Sequence, residues 1–386
     1  MGALPALLVG GLAVLVRADL GFDEFQLGLA ISAFFVASIL LSVPAGMVSE
    51  RFGPHRSLLA GATITAVALV AIAVAANSWP ELVAWLFVAG VGSTIGQIAT
   101  NHLLATAVRP DRQGLAYGVK QSSIPLAGLL AGLALPIIGL TIGWRWAFAL
   151  AAGAVIIVFW LAGRPRPFRR ATDRPFREGD APIPALLVIA MAAGLGAAAG
   201  NALASFTVES AVAHGFDASA AGLLLTFGSL CGVSMRIFSG WVGDRLGRGS
   251  LKVVIVLQVV GAIGYLALAL AGTSAFVTVF ATMLAFGGGW GYQGLVLLAI
   301  SRSNPTSPAT AMAVVRLGPS TGAMLGPLVA GALITQAGYE VTWLTTAFLA
   351  TLAFILMFTG RVLLLRHVRA AALMREPSQV ESRAAG

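Results

Sequence analysis

The sequence predicts an all-α membrane protein with about 12 transmembrane helices, arranged as two similar six-helix bundles. Three observations carry that expectation. The first is composition: of 386 residues, 58% are hydrophobic and only 10% charged, and the mean hydropathy is +0.91. A soluble globule carries about 25% charged residues, so this chain cannot cover itself with polar surface. The second is length: apolar runs near 20 residues, enough to cross a hydrocarbon core of roughly 30 Å, recur along the whole chain. The third is where the basic residues fall. With the N-terminus inside, nineteen of the 24 Lys and Arg lie in inner segments. Two, Arg17 and Arg145, lie in outer loops, and three, Lys120, Arg236 and Arg316, lie within spans. The opposite orientation would violate the positive-inside rule.

The same distribution argues against nucleic acid as the reason for the +9 charge, because the basic residues follow topology rather than forming one face. The one cysteine, Cys231, sits in an apolar run, so no intrachain disulfide is expected. No cleavable signal peptide is expected either. Helix 1 covers residues 2–17. Such a segment rises only about 24 Å. Met1 leads straight into apolar residues, so the expectation is a reading frame that begins upstream or a helix truncated on its inner half. Helices 2 to 6 follow at residues 25–48, 57–76, 81–107, 114–140 and 147–163. Residues 164–181 hold six arginines with prolines between them and read as a flexible inner linker. Helices 7 to 12 cover residues 182–207, 219–242, 251–271, 275–300, 309–336 and 341–363. The predicted domains are therefore a bundle at 1–163, the linker 164–181, a bundle at 182–365 and a frayed cytoplasmic tail at 366–386.

Two charged motifs relate the halves. Gly240, Asp244, Arg245, Gly247 and Arg248 follow helix 8, and Gly46, Glu50, Arg51 and Gly53 follow helix 2 at the same spacing. Each reads as a tight turn between apolar segments. Gly288 and Gln293 stand at the same offset from Gly92 and Gln97 as Arg316 does from Lys120. On these residues the chain resembles the major facilitator superfamily, whose signature repeats Gly-x-x-x-Asp-Arg-x-Gly-Arg/Lys after helices 2 and 8. The resemblance covers essentially the whole chain and implies a carrier with its site between the halves. It further implies that Glu50 docks near the start of helix 11 and Asp244 near the start of helix 5, closing the inner side. The alternative is that these turns only fix topology.

The three basic residues within spans are the candidate substrate ligands. Each costs roughly 2.5–3.5 kcal/mol at mid-span, so they must meet water or a partner. No acid lies at matching depth, and a basic cavity without counter-ions suits an anion. Arg236, four residues before Gly240, is similar to the helix 8 arginine of monocarboxylate transporters. Gly232 stands where those carriers have an aspartate, and helix 1 has no lysine. The other reading is an arginine that snorkels or bonds helix-end carbonyls. In helix 10, Phe286 to Gly294 is glycine-rich enough for local unwinding, which would make Trp290, Tyr292 and Gln293 cavity walls; close packing is the alternative. Gln97 and Asn101 share one face of helix 4, and Asn201 and His102 are further polar residues within spans.

The function expected is secondary transport of a small organic anion, such as a carboxylate, by alternating access in a bacterial plasma membrane, with both termini cytoplasmic. Efflux of amphipathic drug-like compounds is the alternative, against which helix 5 lacks the family's antiporter pattern. A transporter-like receptor is a third reading. The spans hold no paired carboxylates, metal-ligand cluster or nucleophile–base pair, so no enzyme, metal or cofactor is expected. Expected partners are a small-molecule substrate, with or without a coupling ion, and the bilayer; no nucleic acid is expected, and the chain is expected to be a monomer.

Overall fold

In a computed structural model, residues 2–107, 113–155, 182–246, 250–303 and 308–384 are described, and every regular element among them is helical. α1 runs from Leu4–Gly11 through Leu12 into Ala13–Leu20. α2 is Glu24–Phe52, α3 Pro54–Ala75, α4 Trp79–Ala107 and α5 Gln113–Ala134, extended by a π-helical turn, Leu135–Gly139, and Leu140–Ile142. α6 starts at Trp144–Gly153; α7 is Ile183–Ala213, α8 Ala218–Leu246 and α9 Ser250–Ala269. α10 is Ala275–Leu284, a π-helical stretch Ala285–Trp290 and Gln293–Ser303. α11 and α12 share the segment Pro308–Ala384 and divide at Gly338, whose φ of 83° no helix contains. Among the described residues, nine helices are long and apolar enough to cross a membrane. The last of them holds both α11 and α12, while α1 is interrupted at Leu12 and α6 leaves the described residues. Large apolar side chains such as Val43, Val74 and Phe276 stay exposed, as a surface that faces lipid requires.

Several boundaries differ from expectation for identifiable reasons. α1 continues to Leu20 because Gly21 supplies the left-handed stop at φ 68°. α2 is opened by a reciprocal capping box: Gln26 N donates to Asp23 Oδ1 at 2.7 Å, and Asp23 N donates to Gln26 Oε1 at 3.0 Å. The first charged motif is not a turn. Gly46, Glu50 and Arg51 lie on the last two turns of α2, and the only turn is Gly53 at φ 86°, after which Pro54 restarts the helix. Gly240, Asp244 and Arg245 likewise lie on α8; Gly247 and Arg248 fall outside the described residues, as does the whole 164–181 linker with its arginines. α7 reaches Ala213, so Glu209 is inside a helix rather than past its end. The tail is no frayed coil: helix continues to Ala384, through residues rich in Ala, Leu, Met, Glu and Arg, all good helix formers.

Glycines set how closely the helices cross. A methyl group at Gly92 on α4 would fall 2.6 Å from the Gly61 carbonyl oxygen and 2.7 Å from the Thr65 nitrogen on α3. At Gly288 on α10 it would meet the Leu257 carbonyl at 2.6 Å and the Gly261 nitrogen at 2.5 Å on α9. These are repeat-related positions, so the same backbone-to-backbone crossing is built twice. The halves meet in the same manner. Gly28 of α2 abuts Pro327 of α11, and Gly222 of α8 abuts the Gly132 carbonyl of α5. Gly10 of α1 faces Ser205 of α7.

The turns at Gly21, Gly143, Gly215, Gly272 and Gly338 share one end of the bundle, here the Arg17 face. Gly53 and the end of α8 mark the other, the linker face. Near the Arg17 face the halves are tied by Arg17 to Glu209, by Phe25 N to Thr335 Oγ1 at 3.2 Å and by Ser32 Oγ to the Met324 carbonyl at 2.6 Å.

Candidate functional site: a cationic cluster at the bundle interface

The site begins with a proline. Pro125 has no N–H, so the carbonyl of Gln121, one turn earlier on α5, loses its helical donor. A buried carbonyl left unpaired is costly. Arg236 of α8 supplies the donor across the interface, with Nη1 2.5 Å from the Gln121 oxygen. Its Nε donates to the Trp290 carbonyl, at the end of the π stretch of α10, at 3.0 Å, and its Nη2 donates to Gln293 Oε1 at 3.1 Å. The guanidinium lies 5.2 Å from the Trp290 ring centroid, a cation–π contact. Arg236 is 1% exposed and yet none of these acceptors is charged.

Lys120 precedes Gln121 and is half-buried; its Nζ donates to Gln121 Oε1 at 3.4 Å. Arg316 on α11 is exposed and close enough for its charge to act on Lys120. The two repeat mates therefore approach each other from opposite halves. Gln293 keeps its Nε2 buried without a partner. Trp290 is fully buried, against Gly128 of α5, Gly200 of α7 and Gly232 of α8, so it forms the floor under Arg236. Tyr292 turns away: its hydroxyl packs against Gly196 and Gln258 inside the second half. Of the three residues expected to unwind into a wall, the π stretch brings Trp290 and Gln293 to the cluster and sends Tyr292 into the core.

The remaining polar candidates sit apart. Gln97 donates to Ser93 Oγ at 3.3 Å on its own helix and borders Gly2, and Asn101 is half-buried one turn on. Asn201 donates to the Ala197 carbonyl at 2.8 Å, satisfying itself within α7. His102 Nδ1 lies 3.1 Å from Ser49 Oγ, tying α4 to the motif end of α2. Of the motif residues, Glu50 is exposed without an ion pair among the described residues, Arg51 stacks on Phe52, and Arg245 lies 3.8 Å above the Trp241 ring. A groove at the Arg17 face, lined by Leu15, Asp19 and Trp144 to Trp146, is far from the cationic cluster. Its charges are already paired, Arg145 with Asp19 at 2.5 Å and with the Ala76 carbonyl at 2.9 Å.

Gln121 was missed from sequence, although its signal, a polar residue one turn before a mid-helix proline, was present. The Arg17–Glu209 pair was also missed; it joins residues 192 positions apart and leaves no local trace.

Comparison with known proteins fits this architecture. A probable sulfoacetate transporter, SauU, of Cupriavidus necator is 30% identical over 173 residues, 43% of this chain and 40% of that protein. The chain thus spans less than half of that relative in the match. A hexuronate transporter of Bacillus subtilis is 23% identical over 150 residues, 38% of this chain and 35% of that protein. An uncharacterized transporter, YhhS, of Salmonella enteritidis is 27% identical over 369 residues, 88% of this chain and 85% of that protein. Among solved structures, a bacterial homolog of the human lysosomal transporter Spinster, inward-facing and unoccupied, superposes with a TM-score of 0.73 at 17% identity, over 95% of each chain. A D-xylose–proton symporter gives 0.72 at 16% identity, over 94% of this chain and 95% of that one. The family model for the Major Facilitator Superfamily matches residues 3–307 and again 186–378. The chain belongs to the Major Facilitator Superfamily, a superfamily of membrane transporters.

Proposed function

We propose that this chain is a secondary transporter of a small organic anion, carried between the two halves by alternating access. The observation that supports this reading is Arg236: a fully buried guanidinium at the bundle interface, held among the described residues by two carbonyls, an amide and the Trp290 ring. Neutral acceptors satisfy its hydrogen bonds and leave its charge uncompensated. Lys120 and Arg316 add two more positive groups nearby. A carboxylate or sulfonate entering here replaces the Gln121 carbonyl on Nη1 and gains a charge-assisted bond, worth about 1.5–3 kcal/mol. Losing Arg236 from Gln121 also removes a tie between the halves, so binding and rearrangement are coupled at one atom. Trp290 and Gln293 line the cluster beside Arg236, and Gln97 and Asn101, which sit apart from it on α4, are proposed to meet the substrate along its path through the bundle. The names of the sulfoacetate and hexuronate transporters, both anion carriers, agree with this reading.

The positive-inside distribution supports a cytoplasmic linker face with both termini on that side, and the membrane proposed is a bacterial plasma membrane. In the present conformation the halves are tied at the Arg17 face. Glu50 on α2 and Asp244 on α8 dock on the starts of α11 and α5 when the linker face closes in turn. Helix starts favour such carboxylates through their unpaired N–H groups.

Uptake into proteoliposomes tests the reading, with radiolabelled carboxylates and sulfonates run against sugars and cationic drugs. Anion uptake that weakens in Arg236→Lys supports it. Transport confined to cations or neutral compounds overturns it.

A further inference from the structure

The Arg17 face holds a second charged cluster. Arg17, on α1, places Nη1 2.6 Å from Glu209 Oε1 on α7 and 2.9 Å from Glu24 Oε1 on α2, while its Nε donates to the Phe22 carbonyl at 3.0 Å. One guanidinium thus serves two carboxylates, and with both ionised the cluster carries one negative charge. The Glu209 side chain is only 4% exposed, against 26% for Glu24. Its Oε2 is buried with no hydrogen-bond partner. Its neighbours are Arg17, Glu24 and, from the turn between α11 and α12, Tyr339. His214, at the end of α7, meets Tyr339 edge-on with centroids 6.3 Å apart and donates from Nδ1 to the Ser210 carbonyl at 2.5 Å. Asp19, on the other side of α1, is taken by Arg145 and Trp144.

A buried carboxylate oxygen without a donor is expensive, and an uncompensated buried charge more so. A proton on Oε2 removes the uncompensated charge, the larger of the two costs, and leaves Oε1 to accept from Arg17. Because Arg17 and Glu209 belong to different halves, opening this face separates and hydrates them, and Glu209 becomes an ordinary ionised side chain.

We propose that closing the Arg17 face binds one proton at the Arg17–Glu24–Glu209 cluster, so that acidity on that side favours the closed state. The sign follows from linkage: closure takes up a proton, so it is promoted as the pH falls and opposed as it rises. The proposal rests on the chain being an alternating-access carrier and is independent of the cargo.

The test uses spin labels at Ile142→Cys, at the end of α5, and Thr273→Cys, on the turn before α10, exposed positions of the two halves at this face, in a Cys231→Ser background. Distances between them are measured in liposomes at pH 5.5 and 8.5 without substrate. The expected result is a short, closed distance that dominates in acid and an open:closed ratio that rises on the order of tenfold at high pH, within the limit of tenfold per pH unit for one proton. Glu209→Gln, a neutral isostere, should stay closed at both pH values. Arg17→Gln should populate the long distance at both, and His214→Asn should respond as the parent does. A parent distribution unchanged between the two pH values, a pH response retained in Glu209→Gln, or a response lost in His214→Asn overturns the proposal. No substrate enters the measurement, so its failure leaves the anion reading untouched, and a failed anion assay leaves this result standing.

Discussion

The two halves repeat each other where helices must touch and differ where chemistry is done. Gly92 meets α3 as Gly288 meets α9, atom for atom at matching positions. Gly28 and Gly222 likewise hold two repeat-related crossings between the halves. The Arg236–Gln121 bond has no such counterpart. Four residues before the first motif glycine stands Ser42, which bonds Ile39 on its own helix at 3.1 Å. On α11 the positions matching Gln121 and Pro125 are Leu317 and Thr321. Helix α4 is continuous where α10 has its π stretch. The symmetric positions fix the scaffold, and the asymmetric ones create a buried cation with an exchangeable acceptor.

Breaking the symmetry should have the largest effect. Gly92→Val and Gly288→Val each drive a side chain into facing backbone, and a helix cannot shift one such crossing without disturbing its neighbours. Overpacking costs typically 1–3 kcal/mol and more where backbone must move. Both variants are expected to lose monodisperse expression and to melt well below the parent. A normal melting temperature for either would show that these crossings tolerate widening.

Next comes the asymmetric pair. Arg236→Lys retains the charge but not the planar fork. Apparent affinity for the transported anion should fall roughly ten- to a hundredfold, from loss of about 1.5–3 kcal/mol. Because the Trp290 and Gln121 carbonyls also lose donors, melting should drop by a few degrees. Ser42→Ala, at the matching place in the first half, should be silent in both assays. Equal effects at the two positions would sink the asymmetry.

A smaller effect is expected at Lys120 and Arg316, the one repeat-related pair in the site. Each is expected to act on the anion mainly through its charge, so Lys120→Gln and Arg316→Gln should each weaken anion transport by roughly threefold, and less at high salt. Initial uptake rates at two ionic strengths check this. Rates for cationic compounds should not fall.

The fold was legible because composition, loop charge and duplicated glycines are properties of the chain itself. Helix ends were read less well. Gly21 and Gly53 do stop helices, but the motif residues Gly46, Glu50, Arg51, Gly240, Asp244 and Arg245 look like loop and lie in helix, since they tolerate the helix-terminal turn. At the proposed site, the basic residues stand out in the sequence by their place within spans, and the charge of Arg316 acts on its repeat mate Lys120. What Arg236 touches was hidden, because its acceptors are backbone carbonyls on two other helices. The burial of Glu209 was hidden as well, because its partner Arg17 arrives from the other half.

The smallest effect is also the most specific. Pro125→Ala restores an N–H one turn after Gln121, and that N–H can donate to the Gln121 carbonyl within α5. A carbonyl has two lone pairs, so Arg236 need not be evicted. What changes is the penalty when Arg236 leaves: in the parent the Gln121 oxygen is then orphaned, and in the variant it is not. If an anion takes Nη1 from Gln121, its binding becomes easier by up to about 1 kcal/mol, roughly a fivefold gain in apparent affinity. The gain should vanish when Arg236→Lys is already present, because the exchange it eases no longer occurs. KM values for the four members of this double-mutant cycle decide the matter. An equal gain with and without Arg236 would mean that Pro125 acts on the helix alone, and that the anion never displaces the Gln121 carbonyl.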